Sequence, residues 1–266
     1  MVNKRYIGAA MIAPALIFFL IGGIWLKYFV MILALCGIYE FNNASKSSKL
    51  NPVPYIGYLM TIIYFVTLGE KFNFEVFSYI IVGFVFVSLI IPIINTKYNF
   101  IDIAVTILPF LYVTVFFSLL VLIERKVNGN YLIWIVFISS WVCDTFAYYT
   151  GRFLGKHKIS PKVSPNKTLE GSIGGLIGSV IGCTIYGYVI SKFGVEISLY
   201  NYVIIGILGG VFGQIGDLVA SSIKRHAEIK DYSNLIPGHG GILDRFDSIL
   251  FVSVVVYYYI TIFMGM

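Results

Sequence analysis

Apolar runs long enough to cross a lipid bilayer follow one another along almost the whole chain, and they leave little room for another kind of fold. A helix rises about 1.5 Å per residue, so roughly 20 apolar residues cross about 30 Å of hydrocarbon. Such runs occupy residues 6–22, 24–41, 53–69, 76–95, 100–123, 130–150, 172–193, 201–223 and 247–264. Apolar residues make up 58% of the chain and charged ones 12%, with a mean hydropathy of +0.87, outside the range of water-soluble domains. The chain therefore reads as an all-α polytopic membrane protein, a bundle of nine transmembrane helices. Gly22, Gly23 and Lys27 are all that separate the first two runs, and a re-entrant pair has the same pattern.

Lys4 and Arg5 precede the first run as in a signal peptide, yet no small-x-small cleavage site precedes the next span, so the run reads as an anchor. Nine spans put the termini on opposite faces, and basic residues orient them. With a cytoplasmic N-terminus, that face receives Lys4, Arg5, Lys46, Lys49, Lys97, Arg152, Lys156, Lys158, Lys162, Lys167, Lys224, Arg225, Lys230 and Arg245. These are fourteen of the nineteen Lys and Arg residues, and they concentrate the net charge of +6 in two loops, 151–171 and 224–246. Such a face suits anionic headgroups and phosphates. The expected setting is the cell membrane, with a polar cavity opening toward the cytoplasmic leaflet.

Cys36, Cys143 and Cys183 lie singly in apolar spans without CxxC spacing, which implies small core residues and neither a disulfide nor a zinc site. No polar linker or repeat divides the chain. It reads as one integral-membrane domain over 1–266, with N-terminal spans to residue 125 and the chemistry carried from residue 130 onward.

The segment from Ser221 to Asp247, SSIKRHAEIKDYSNLIPGHGGILDRFD, packs three Asp, one Glu, four Lys or Arg and two His into 27 residues beside apolar spans. Charge is costly there, so the cluster reads as a reaction site. Asp217 lies within the eighth run, and helical spacing places Ser221, Lys224 and Arg225 on its face. Lys230 and Asp231 follow, then a bend, PGHGG, in which Gly238, Gly240 and Gly241 let backbone amides approach an anion. Asp244 and Asp247, three apart with Arg245 between them, would point the same way from a helical start. Carboxylates without a Cys or His cluster favour Mg²⁺, held by one or two Asp together with substrate phosphates. Lys and Arg beside it would balance phosphate charge, as phosphoryl or nucleotidyl transfer requires. No GxxxxGK[ST] sequence is present, which argues against a P-loop ATPase.

The segment resembles the signature of the phosphatidate cytidylyltransferases (CDP-diacylglycerol synthases): Ser-x-apolar-Lys-Arg, four residues, Lys-Asp, then Pro-x-His-Gly-Gly-apolar-x-Asp-Arg-apolar-Asp. Ser221, Ile223, Lys224, Arg225, Lys230, Asp231, Pro237, His239, Gly240, Gly241, Asp244, Arg245 and Asp247 fill every fixed place. The stretch CDTFAYYTGRFLGKHKISPKVSPNKTLEGSIGG at 143–175 is similar to the family's other well-marked region, and the likeness is strong over 140–250. The first hundred residues are similar only in being apolar spans.

The resemblance implies that CTP and phosphatidate give CDP-diacylglycerol and pyrophosphate with Mg²⁺ required. An oxygen of the lipid phosphate attacks the α-phosphorus and pyrophosphate leaves. A phosphate monoester, with its second pKa about 6, is already largely dianionic at pH 7, so no strong general base is needed. The difficulty is bringing two polyanions together, which Mg²⁺, Lys and Arg address. The catalytic set expected is Asp217, Lys224, Arg225, Lys230, Asp231, Asp244, Arg245 and Asp247, with Asp217, Asp244 and Asp247 as metal ligands. Ser221, Lys167, His239, Gly240, Gly241 and Asp144 are expected to bind substrate. A homodimer is implied by the resemblance, no nucleic-acid partner is, and a second cation such as K⁺ is left open.

Plainer roles stand beside these. Asp217 could form a structural pair with Lys or Arg, and Asp244 and Asp247 could be acids favoured at a helix N-terminus. Asp231 could be a surface residue, and His239 could brace the turn. Thr168 or Ser164 could cap the seventh span with Glu170 in its first turn, leaving Lys167 open between structural and substrate roles. Gly174, Gly178 and Gly182, and Gly206 and Gly210, read as close helix packing. The aromatic residues imply a membrane belt or packing and no base-stacking platform. Two rival functions remain: the same CTP chemistry on another lipid phosphate or a polyprenol, and a transporter in which the charged residues line a pathway.

Overall fold

A computed structural model describes residues 14–70 and 72–266. Its nine described helices are α1 (Ala15–Ile21), α2 (Gly23–Ser47), α3 (Pro54–Thr67), α4 (Phe74–Ile94), α5 (Phe100–Glu124), α6 (Gly129–Leu154), α7 (Leu169–Ser191), α8 (Leu199–His226) and α9 (Leu243–Phe263). Two short strands, β1 (Lys158–Ser160) and β2 (Ser164–Thr168), pair antiparallel between α6 and α7.

Seven of the described helices, α2 and α4 to α9, are long and apolar enough to span a membrane. The described residues do not confirm nine spans, and two of the runs account for the difference. Residues 6–13 of the run at 6–22 lie outside the described residues, and the described part forms the seven-residue α1. The run at 53–69 forms the 14-residue α3, which at about 1.5 Å per residue reaches only about 21 Å. Pro54 occupies the first position of α3, and the C-terminal carbonyls are met by the Lys27 ammonium, which donates to Val66 O at 3.3 Å and Leu68 O at 2.9 Å. Positive φ at Gly22 (68°) and Gly23 (59°) breaks α1 from α2. Phe18 of α1 and Phe29 of α2 then stack at 4.4 Å, a contact that eleven residues of unbroken helix would forbid.

The chain divides into two compact units, Met1–Arg125 with Ile223–Arg245, and Lys126–Ser222 with Phe246–Met266. In the first unit α5 is the most enclosed span, with 72% of its apolar window buried. Hydroxyls satisfy one another where α5 meets α3, Thr61 with Thr114 at 2.7 Å and Tyr64 with Ser118 at 2.9 Å. Pro109, which lacks an N–H and crowds the preceding turn, is followed by a π-helical stretch at Phe110–Val115. On α4 only 11% of the window is buried, and Phe74, Tyr79, Phe86 and Ile93 lie on its outer surface. A surface this apolar is stable against lipid and not against water. The molecule is an all-α polytopic membrane protein.

The second unit is built on α6 against α7, and glycine sets how close they come. A Cβ on Gly175 would lie 2.9 Å from both the Ala147 Cβ and the Cys143 carbonyl oxygen. Gly206 and Gly210 seat α8 on Val180, Ser179 and Leu176 of α7 in the same way.

Candidate functional site

A cavity of about 480 Å³ opens in the second unit where α6, β2, α7 and α8 converge. Asp144, Tyr148 and Arg152 form an i, i+4, i+8 stripe of its wall on α6, and Arg152 Nη1 donates to the Tyr148 hydroxyl at 3.2 Å. Ser164, Asn166 and Lys167 come from β2, and Gln214 and Asp217 from α8. The Lys167 ammonium bridges two of these elements, 2.7 Å from Asp217 Oδ2 and 3.3 Å from the Gln214 carbonyl oxygen. Ser221, one turn on, donates to Asp217 Oδ1 at 3.2 Å. The Gln214 side chain accepts from Ser172 Oγ and donates to Ser172 O at 3.1 Å and Gly210 O at 2.9 Å, which fixes its amide orientation.

The hairpin that delivers Lys167 is anchored at its base. Thr168 caps α7 by accepting from the Gly171 N–H at 3.1 Å. Glu170 accepts from the backbone N–H groups of Lys156 at 3.0 Å and His157 at 3.2 Å, and its other oxygen meets the His157 ring at 2.6 Å. Asp247, the fifth residue of α9, is buried, and its Oδ1 accepts from the Ser248 N–H at 2.8 Å. Helices α8 and α9 touch one residue before Asp217: a Cβ on Gly216 would lie 2.6 Å from the Asp247 carbonyl oxygen.

The first unit holds the rest of the charged segment. Lys224 and Asp244 form a buried ion pair at 2.7 Å, with 11% and 2% of their side chains exposed. The other Asp244 oxygen accepts from Tyr232 N–H at 2.8 Å and Gly241 N–H at 2.9 Å. Gly238 (φ 74°) and Gly240 (φ 83°) make the bend with conformations that favour glycine. His239 directs Nδ1 toward the Pro237 carbonyl oxygen at 3.4 Å and so lies against its own turn. Arg225 donates to Ile229 O at 3.3 Å and is exposed, as are Lys230, Asp231 and Arg245. The structure thus gathers Asp144, Lys167 and Asp217 around one cavity, and sets Lys224, Asp244 and the glycine bend in a second cluster.

The amino-acid sequence matches the Cytidylyltransferase family over residues 3–263. The chain belongs to this family. Similar proteins include phosphatidate cytidylyltransferases of three staphylococci. That of Staphylococcus haemolyticus is 36% identical over 239 residues, covering 88% of both chains. That of Staphylococcus saprophyticus is 37% identical over 236 residues, covering 87% of this chain and 88% of the relative. That of Staphylococcus aureus is 34% identical over 241 residues, with 87% and 88% covered. The match therefore takes in the first hundred residues as well as the signature segment.

Several residues of these clusters escape sequence reasoning. Gln214 enters the cavity wall through tertiary contact alone, and Tyr148, one turn after Asp144, carried no charge to single it out. Glu40, a single acid inside the second apolar run, carried a usable signal in the cost of burying a charge. Among the described residues no three His, Cys, Asp or Glu side chains form a ready-made metal cluster.

Proposed function

We propose that this chain is a phosphatidate cytidylyltransferase, converting CTP and phosphatidate into CDP-diacylglycerol and pyrophosphate at the membrane. The observation that carries the reading is the Lys167–Asp217 pair in a polar cavity of a membrane-embedded helix bundle. It joins the family's two marked regions, 143–175 and 221–247, through a residue of the first and the helix that leads into the second.

The donor set fits a hard divalent cation. Asp217 offers a carboxylate with 32% of its side chain exposed, and Asp247 sits on the neighbouring helix. Asp217 and Asp247 would hold Mg²⁺, while Lys224, Tyr232 N–H and Gly241 N–H occupy three of the about four lone-pair sites of Asp244. Two carboxylates plus substrate phosphates and water complete such a shell without a preformed protein cage. When bound, Mg²⁺ neutralises phosphate charge and stabilises the charge that develops on pyrophosphate.

The chain's own residues do the rest. Lys167 and Arg152 face incoming phosphate groups from the cavity wall, Asn166 and Ser164 donate hydrogen bonds to them, and Asp144, an acceptor only, takes donors of the substrate. The phosphatidate monoester attacks as the dianion, so no side chain has to remove a proton. The work is alignment and charge balance. Lys224, Arg225, Lys230 and Arg245 supply the positive charge of the signature segment, and Ser221 steadies Asp217. Phosphatidate enters from the cytoplasmic leaflet and CTP from water, with the N-terminus on the cytoplasmic side. The basic loops 151–171 and 224–246 support this orientation. The functional unit is a homodimer.

Purified protein in liposomes, given labelled CTP with phosphatidate, a polyprenyl phosphate or an ether-lipid phosphate in turn, tests the reading. CDP-diacylglycerol formed from phosphatidate is the expected product. Labelled product from another acceptor alone would reassign the substrate, and solute flux without nucleotide transfer would replace the reading with transport.

A further inference from the structure

A carboxylate in an apolar span is costly unless hydrogen bonds satisfy it. Glu40, on α2, is 1% exposed. Its Oε1 accepts from Ser233 Oγ at 2.6 Å and from the Ile242 N–H at 2.9 Å, and its Oε2 accepts from the Leu243 N–H at 2.8 Å. All three donors lie in the segment that leads into α9. Gly241 makes the approach possible, because a Cβ there would collide with the Glu40 carboxylate. The Gly241 N–H turns instead to Asp244 Oδ2 at 2.9 Å. Three successive amides at the start of α9 thus end on two protein carboxylates, one local and one 202 residues away in sequence.

Helix starts are usually capped by a nearby Ser, Thr, Asp or Asn. Ile242, which precedes α9, has no such side chain, and Glu40 takes that part from another helix. The cap reaches the reactive segment in one step: the residue after Leu243 is Asp244, whose carboxylate holds the Lys224 ammonium at 2.7 Å. Lys224 is fixed to Asp244, and the start of α9 is fixed to Glu40.

We propose that Glu40 is a positioning residue, one that sets the start of α9 and through it the Asp244–Lys224 pair. The assignment rests on the reaction given above and adds to it a role for the N-terminal spans, which supply the acid. Misplacement of a charge-balancing group by about 1 Å costs up to about 100-fold in rate.

Glu40→Gln keeps the shape but turns an NH₂ group toward one of the donors it meets. The expected result is a kcat for CDP-lipid formation lowered ~10–100-fold, with KM for CTP and for phosphatidate changed less than about threefold. Amide hydrogen exchange at Ile242 and Leu243 should accelerate while the rest of the chain keeps its protection. Gly241→Ala should lower kcat alone yet add little to Glu40→Ala, because the carboxylate that its Cβ would meet is gone. A Glu40→Gln enzyme with normal kcat and normal exchange overturns the proposal. So does a variant whose loss lies wholly in KM or wholly in thermal stability. If Glu40→Gln does not accumulate in membranes, Ser233→Ala decides, with a kcat several-fold lower at constant KM expected and wild-type kinetics refuting. Wild-type protein that made no CDP-lipid would sink the reaction and not this proposal, which the exchange rates at 242 and 243 would still judge.

Discussion

Replacing Asp217 by Asn separates a structural ion pair from a reactive carboxylate. Asn keeps the shape and an oxygen for the Ser221 hydroxyl, while the Lys167 ammonium loses its counter-charge. Both partners are partly open, with 23% and 32% of their side chains exposed, so the pair contributes only ~0–1 kcal/mol to stability. A carboxylate that organises charge at the reacting phosphates is worth ~10²–10³ in rate, or ~3–4 kcal/mol of transition-state stabilisation. The two roles thus differ by several-fold in energy and appear in different observables. The assay pairs initial rates of CDP-diacylglycerol formation in mixed micelles with the melting temperature of the same preparation. The expected outcome is turnover lowered by two to three orders of magnitude with a melting temperature within a few degrees of wild type. An Asp217→Asn enzyme that turns over near normally, or loses activity only in proportion to unfolded protein, refutes the reasoning.

Lys224→Ala leaves the buried Asp244 carboxylate uncompensated, at a cost of ~3–5 kcal/mol in thermal or denaturant unfolding. Pairing Lys224→Met with Asp244→Leu should restore part of that stability and none of the turnover, and a stable, active double variant would contradict the charge-balancing role. Glu170→Gln should leave the spans intact and speed tryptic cleavage at Lys156, Lys158 and Lys162, because the hairpin loses its anchor; unchanged cleavage would show that the anchor is idle. Gly175→Ala should cost ~1–3 kcal/mol by forcing α6 from α7, whereas Gly83→Ala on α4, with open space around it, should be neutral or stabilising. Equal melting temperatures for those two variants would argue against glycine-limited packing.

Length and apolarity made the spans legible, because a bilayer imposes one periodicity and one thickness on every helix that crosses it. The exceptions have local causes. The run at 53–69 closes after 14 helical residues, Pro54–Thr67, and the consecutive positive φ angles at Gly22 and Gly23 separate α1 from α2. The hairpin at 158–168 was invisible because its strands, three and five residues long, are basic and polar with no alternation to read. In the site, helical spacing joined Asp217 to Ser221, and the two do hydrogen-bond. It could not join Asp217 to Lys167 or Glu40 to Leu243, which meet only through tertiary packing. The glycine bend was read as open to an outside anion. The Gly241 N–H meets Asp244 instead, and the two amides that follow meet Glu40.

The most direct measurement follows CDP-diacylglycerol and pyrophosphate released by the purified protein from CTP and phosphatidate as Mg²⁺ is removed with a chelator and then restored. The account predicts equimolar products, loss of both on chelation, and recovery on adding Mg²⁺ to wild type but not to Asp217→Asn or Asp247→Asn. Turnover that persists without any divalent ion, or no CDP-lipid at any Mg²⁺ concentration, would contradict it.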